Sequence, residues 1–149
     1  MAKIIQHQLF YPHPPEVVWE YLTNSELVSQ WLMPGDIRPV PGHEFQFTVK
    51  PMPEMDFDGN IYCKILEVVP FKKLSYSWKL GPGNGVFTDS TVNWTLTAQD
   101  NGTQVLLVHR DFTGPENLLI FASMEKGWLK NMNKILQILS AETGETAKA

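Results

Sequence analysis

The sequence has a single cysteine and no long apolar run. Cys63 has no partner for an intrachain disulfide, and the first residues lack the basic and then apolar profile of a signal peptide. These features predict a reducing, cytoplasmic location. No apolar run reaches the roughly 18 residues that a membrane span requires, so we expect no membrane partner.

A concentration of basic charge is also missing. The formal net charge is −4 at pH 7, and the lysines and arginines are scattered along the chain. A surface that binds nucleic acid needs a basic patch to neutralise phosphates. We therefore expect no nucleic-acid partner.

The motifs of metal, phosphate and covalent chemistry are absent as well. His7, His13, His43 and His109 are dispersed, and no HExxH or CxxC motif occurs, which predicts no metal site. The glycine-rich run at residues 81–85 precedes no helix, so it indicates a hairpin loop rather than a phosphate-binding loop. No GxSxG motif is present. The sequence predicts no cofactor and no catalytic residue set.

The most informative segment that is present lies near the C-terminus, at residues 116–139. Polar side chains occupy one side of this segment and apolar side chains recur at helical spacing on the other, which predicts one long amphipathic helix. The apolar stripe consists of Phe121, Met124, Trp128, Met132, Ile135 and Leu139. Pro115 and Glu116 suit the first turn of such a helix. The polar segment 142–149 is expected to fray.

Two residues in the middle of this helix carry specific expectations. Trp128 should be largely buried, against the strands that carry Trp78 and Trp94. Gly127 costs about 1 kcal/mol relative to alanine inside a helix. We interpret it as a position where the backbone bends or another element approaches closely.

The chain before this helix reads as strands and two short helices. A first strand at residues 3–11 is followed by two short helices that end near Trp31, and apolar and polar residues then alternate in several segments. The turn at Asp100, Asn101 and Gly102 is a strong hairpin signal. This order predicts an α+β fold, in which five or so further antiparallel strands pack one face on the final helix.

The alternation also directs a set of aromatic, methionine and histidine side chains inward. These candidate cavity residues are Trp31, Phe47, Tyr76, Trp78, Trp94, His109, Phe112, Phe121, Met124, Trp128 and Met132. A close-packed aromatic core and a partial cavity both fit such a set. An inward histidine is more often a hydrogen-bonded core residue than a catalyst, and His109 could also orient a ligand.

Several stretches together resemble a known family. They are the PPEVVW sequence at residues 14–19, the segments 23–31, 42–45, 66–78, 90–96 and 102–112, and Gly127-Trp128 in the last helix. In their order and spacing the chain resembles the activator of heat-shock protein 90 ATPase homologue-like proteins, within the START-like (SRPBCC), polyketide-cyclase superfamily. The resemblance implies a helix-grip fold, in which a curved antiparallel sheet wraps a long C-terminal helix around an internal cavity. We expect one such domain over residues 1–141.

The chain departs from that family in two respects. The family often has a second tryptophan followed by glycine after the position of Trp31, whereas this chain continues Leu32-Met33-Pro34-Gly35. The amino-terminal domain of the eukaryotic co-chaperone has no counterpart in this sequence. The co-chaperone's role is therefore not carried over.

Three functional hypotheses follow from the residues and the resemblance. The first is a protein that binds a hydrophobic or aromatic small molecule in an internal cavity, which also explains why the polar groups form no catalytic set. The second is an enzyme similar to polyketide cyclases, with His109 and either Tyr62 or Tyr76 as acid or base. The third is an interaction module, either a chaperone accessory or a homodimer, since Leu106 and Val108 make the last strand apolar on both faces.

Overall fold

A computed structural model describes residues 3–115 and 117–148 of the chain, with residues 142–148 described by their backbone alone. In this part of the chain, six strands and three α-helices follow the order predicted from the sequence. They are β1 (Ile5–Tyr11), α1 (Pro15–Thr23), α2 (Ser25–Trp31), β2 (Glu44–Thr48), β3 (Asn60–Val69), β4 (Lys73–Leu80), β5 (Thr88–Gln99), β6 (Gly102–Thr113) and α3 (Leu118–Lys148). A short 3₁₀ turn, Pro53–Met55, lies between β2 and β3.

The six strands form one antiparallel sheet in the order β1-β6-β5-β4-β3-β2. Register shifts between Ile65 and Glu67, and between Asp89 and Thr91, mark irregularities that help such a sheet to bend. The curved sheet and the long helix α3 enclose the core, together with α1 and α2. The predicted α+β helix-grip fold is confirmed.

Local sequence chemistry explains the main boundaries. Asn24 caps α2, because its side-chain oxygen accepts hydrogen bonds from the backbone N–H groups of Glu26 and Leu27. Asp100 and Asn101 both adopt positive φ between the paired residues Gln99 and Gly102. Positive φ at both central residues defines the hairpin turn that asparagine and aspartate tolerate best, as the sequence predicted.

The final helix differs from its predicted bounds at both ends. It begins at Leu118, and Asn117 caps it by accepting a hydrogen bond from the backbone N–H of Ile120 at 3.1 Å. The predicted start, Glu116, lies outside the described residues. The helix continues beyond Leu139 to Lys148, because residues such as alanine, glutamate and lysine favour helix even where the apolar period has ended. The fraying expected for the segment 142–149 stays a prediction.

Two hydrogen bonds fasten α3 along the first strand. The Tyr11 hydroxyl donates to the Met132 carbonyl at 2.8 Å, and His7 Nε2 donates to the Glu125 carbonyl at 2.8 Å. The Tyr11 bond is buried. The helix is therefore held firmly on the β1 side of the sheet, and its opposite side faces β3 and β4.

Candidate functional site

A cleft of about 250 Å³ lies between α3 and the part of the sheet formed by β3 and β4. Its sheet wall is built from inward positions of these strands and from the ends of the adjoining loops. The wall residues are Val49, Phe57, Ile61, Trp78 and Leu80. Ile61, Trp78 and Leu80 alternate with outward residues along their strands, so the pleat of the sheet directs them into the cleft.

The helix wall of the cleft is formed by Ile120, Ser123, Met124, Gly127, Trp128 and Asn131. These positions recur every three or four residues, which places them on one face of α3. A Cβ atom added at Gly127 would meet no atom within 4 Å. The close approach interpreted for Gly127 is therefore wrong, since the glycine borders the open space of the cleft.

The remaining rim comes from two loop segments. Leu32 and Met33, which follow α2, line one edge, and Met52 lines another. The backbone of Met52 is fixed by hydrogen bonds to Phe57, with the Met52 N–H donating to the Phe57 carbonyl at 2.8 Å. Asn117 Nδ2 also donates to the Met55 carbonyl at 2.7 Å, which ties this loop to the start of α3. The methionine-rich rim thus combines adaptable side chains with a positioned backbone.

His109 lies beside this cleft, fully buried, in a directed chain of hydrogen bonds. Trp128 Nε1 donates to His109 Nδ1 at 3.0 Å. An indole N–H can only donate, so Nδ1 is unprotonated and the neutral ring carries its proton on Nε2. That Nε2–H donates to Ser90 Oγ at 2.7 Å, and the Ser90 hydroxyl donates to the Trp78 carbonyl at 3.1 Å.

The burial of this chain of hydrogen bonds fixes the protonation state of His109. Removal from water lowers the pKa of His109 from 6.5 to about 3, because the charged imidazolium is poorly solvated there. Both ring nitrogens are already used by Trp128 and Ser90. His109 is therefore a neutral core residue that orients Trp128, and the arrangement offers no free lone pair toward the cleft.

The tyrosines considered as its catalytic partners are placed elsewhere. Tyr76 is buried, its hydroxyl accepts from Trp94 Nε1 at 3.0 Å, and burial raises its pKa above the ordinary value. Tyr62 points to the outer face of the sheet, where it packs against Phe87 at a centroid distance of 5.8 Å. His109 and Tyr62 are thus separated by the sheet itself.

Trp78 differs from the other inward tryptophans in one respect. Its indole packs against Trp128 at a centroid distance of 5.2 Å and against His109 at 5.6 Å. Its Nε1–H is buried and has no hydrogen-bond partner within the described part of the chain. Buried donors are usually paired, so an unpaired one in the wall of a cleft requires an explanation.

The structure divides the predicted cavity residues into three groups. Trp78, Met124 and Trp128 line the cleft. Phe112 and Phe121 pack on each other at 5.3 Å and, with Met124, line a neighbouring depression of about 180 Å³ at the start of α3.

The third group is packed inside the core and does not reach either opening. It consists of Trp31, Phe47, Tyr76, Trp94, His109 and Met132, all buried. Trp128 itself is 3% exposed and contacts Trp94 at 5.7 Å as well as Trp78. The predicted inner position of Trp128 is confirmed.

Most of the cleft wall was missed by sequence reasoning. Ile61, Leu80 and Ile120 are ordinary apolar residues whose position in a cavity depends on the packing of the whole sheet. Two signals pointed near the site: the departure from the family pattern at Leu32-Met33, and the loop rich in proline and methionine at residues 51–58. Both segments form the rim.

The described residues offer few other chemical groups. Across residues 3–115 and 117–141, no group of three His, Cys, Asp or Glu side chains is arranged to hold a metal ion. No helix in this part of the chain has the length and apolar character needed to cross a bilayer. Cys63 is buried among apolar neighbours, and burial raises the pKa of its thiol.

The fold and the cleft define a START-like helix-grip domain, and comparison with known proteins gives the family. Residues 12–140 match the family described as activator of Hsp90 ATPase homolog 1-like protein, and the chain belongs to it. No curated protein matches the chain significantly.

Solved structures are similar over nearly the whole chain. Protein MLL2253 from Mesorhizobium loti is 29% identical with a TM-score of 0.81, over 93% of this chain and 98% of that one. CalU16 from Micromonospora echinospora is 23% identical with a TM-score of 0.69, over 99% and 82%. DynU16, a protein in the dynemicin biosynthetic locus, is 21% identical with a TM-score of 0.71, and the similarity covers 95% of this chain and 48% of DynU16.

Proposed function

We propose that this protein binds a small hydrophobic molecule in the cleft between α3 and strands β3 and β4. The observation that carries the proposal is the open space beside Gly127. A glycine in the middle of a long helix costs about 1 kcal/mol, and here no neighbouring atom requires it. Keeping the cleft clear explains its presence.

The surroundings of Gly127 support the same function. Apolar and aromatic side chains provide most of the cleft wall, and Ser123 and Asn131 provide polar groups. Ligand sites in proteins have this combination of an apolar wall and a few polar groups. A volume of about 250 Å³ lies just below the usual range of roughly 300 to 1,000 Å³ for drug-sized ligands. The ligand is therefore a compact molecule of one or two rings.

A larger side chain introduced on α3 fills the cleft and so tests the proposal. Gly127→Leu should place an apolar side chain in the space and abolish binding, whereas Gly127→Ala should preserve the fold and stabilise it by up to about 1 kcal/mol. Thermal shift with indane, 1-indanone and naphthalene provides the measurement. A ligand at 100 times its Kd should add about 2.7 kcal/mol to the stability of the wild-type protein.

The matched control is Ala122→Leu, on the exposed side of the same helix. This variant adds the same side chain outside the cleft and should leave binding unchanged. Binding that survives Gly127→Leu would place the ligand elsewhere, and no stabilisation of the wild-type protein by any of these ring compounds would contradict the proposal.

The enzyme hypothesis gains no comparable support. Its candidate base, His109, has both ring nitrogens occupied and no exposed surface. The interaction hypothesis rested on Leu106 and Val108, which are half-buried on the outer face. Their cross-strand neighbours are Gln8 and Thr95 for Leu106, and Gln6 and Asn93 for Val108. Polar residues therefore interrupt this patch on both sides, and it provides no continuous apolar surface for a partner.

A further inference from the structure

The unpaired indole N–H of Trp78 narrows the chemistry of the ligand. This inference rests on the proposed function and extends it to a ligand class. Trp78 lines the cleft, and its Nε1–H is buried without an acceptor among the described residues. An indole N–H can only donate, so the group that satisfies it must be an acceptor.

The acceptors of the adjoining hydrogen-bond chain are already engaged. His109 Nδ1 accepts from Trp128, and Ser90 Oγ accepts from His109 while donating to the carbonyl of Trp78. The protein thus supplies acceptors to the buried indole of Trp128 but not to that of Trp78. This difference makes a bound molecule the natural partner of Trp78.

The wall of the cleft also restricts the charge of that molecule. None of the described residues that line the cleft has a titratable side chain. An ionised group held against this wall would lose hydration without gaining a counter-charge, which is unfavourable. The ligand must therefore be neutral.

We propose that the ligand is a neutral molecule of one or two rings with a carbonyl oxygen, and that this oxygen accepts a hydrogen bond from Trp78 Nε1–H. A carbonyl is a neutral group whose oxygen accepts hydrogen bonds and cannot donate them. Since Nε1 is buried in the wall rather than at its surface, the pairing requires the indole to rotate toward the ligand. Trp78 is then the specificity-determining residue of the cleft.

Matched probes with and without the carbonyl test this inference. Indane and 1-indanone share a ring skeleton and differ in one oxygen, and calorimetric titration can compare their Kd values. The wild-type protein should bind 1-indanone roughly tenfold more tightly than indane, as one hydrogen bond to a buried donor allows. Indane-1-carboxylate, which is charged, should bind more weakly than either.

Two variants test whether Trp78 donates the hydrogen bond that produces the preference for 1-indanone. Trp78→Phe should bind the two neutral probes with similar Kd values, because it removes the N–H donor. Trp94→Phe is the matched control, because it makes the same substitution at a tryptophan that does not line the cleft, and this variant should keep the preference for 1-indanone. A preference that survives Trp78→Phe, or that disappears in Trp94→Phe alone, would overturn the assignment to Trp78.

A measurement on the wild-type protein avoids dependence on the folding of Trp78→Phe. In ¹H–¹⁵N spectra, 1-indanone should move the Trp78 indole N–H signal downfield, while indane should not. The indole signals of Trp31, Trp94 and Trp128 should move less, because those N–H groups are already paired. An unmoved Trp78 signal at saturating 1-indanone overturns the inference while leaving hydrophobic binding intact, and binding of neither probe contradicts both proposals.

Discussion

Two regions on either side of Trp128 use the same aromatic residues in different ways. In the packed core around Trp31, Trp94 and His109, each indole N–H has a protein acceptor: Trp31 Nε1 donates to the Tyr21 carbonyl at 2.6 Å, and Trp94 Nε1 to the Tyr76 hydroxyl at 3.0 Å. In the cleft, Trp78 Nε1–H has no partner among the described residues. The difference shows that aromatic composition alone does not distinguish a closed core from a binding wall.

The packing geometry of the two regions differs in the same way. Trp31 and Trp94 meet edge to face with centroids 5.9 Å apart, and both are almost fully buried. A Cβ added at Gly35 would lie 2.6 Å from the ring of Phe47 in the packed core, whereas one at Gly127 would meet nothing within 4 Å. The same substitution is thus excluded in one region and accommodated in the other.

The largest effect is expected where the two regions meet, at Trp128. Trp128→Ala should lower the free energy of unfolding by about 3–5 kcal/mol, because it removes a buried ring and leaves His109 Nδ1 without its donor. Urea denaturation measures the loss. Leu129→Ala, at a position 40% exposed, should cost much less. A loss below about 1 kcal/mol for Trp128→Ala would mean that Trp128 does not pack between the core and the cleft.

The next effect is a pH dependence that belongs to the packed core. His109 binds a proton near pH 6.5 in the unfolded chain but only near pH 3 in the folded one. Its contribution to stability is therefore full above about pH 6.5 and is lost as the pH falls toward 3, by about 1 kcal/mol for each pH unit.

Chemical denaturation between pH 7 and pH 4 can isolate this contribution. His109→Gln is the matched variant, because glutamine does not titrate and its amide can both donate and accept. Its stability should fall less steeply with decreasing pH than that of the wild-type protein. Equal slopes for the two proteins would show that His109 takes up its proton without resistance and that the core around it is open to water.

The smallest effect compares the two kinds of tryptophan directly. Trp94→Phe and Trp78→Phe make the same change in side-chain volume, but only the first removes a hydrogen bond from the protein. Trp94→Phe should therefore be more destabilising by about 1 kcal/mol, measured by urea denaturation in the absence of ligand. Equal losses would mean that the Trp78 N–H interacts within the folded protein after all.

Much of the fold could be predicted because local patterns specify it. The alternation in β4 and β5 placed Trp78 and Trp94 on the inner face, and the helical period of α3 placed Trp128 opposite them. Each pattern needs only the period of its own segment, together with one apolar face to bury. Segment ends were less predictable: the cap at Asn117 and the extension of α3 to Lys148 do not depend on the apolar period.

The sequence by itself determined the order of the elements, the inner faces of the strands and the absence of metal, phosphate and nucleophile motifs. Only the tertiary structure decided which inward residues face a cleft and which are packed. The physical reason is that pleat and helical period fix the direction of a side chain, whereas a cavity depends on what lies opposite it. Gly127 shows this most clearly, since the same residue permits a close approach or an open space according to whether another element reaches it.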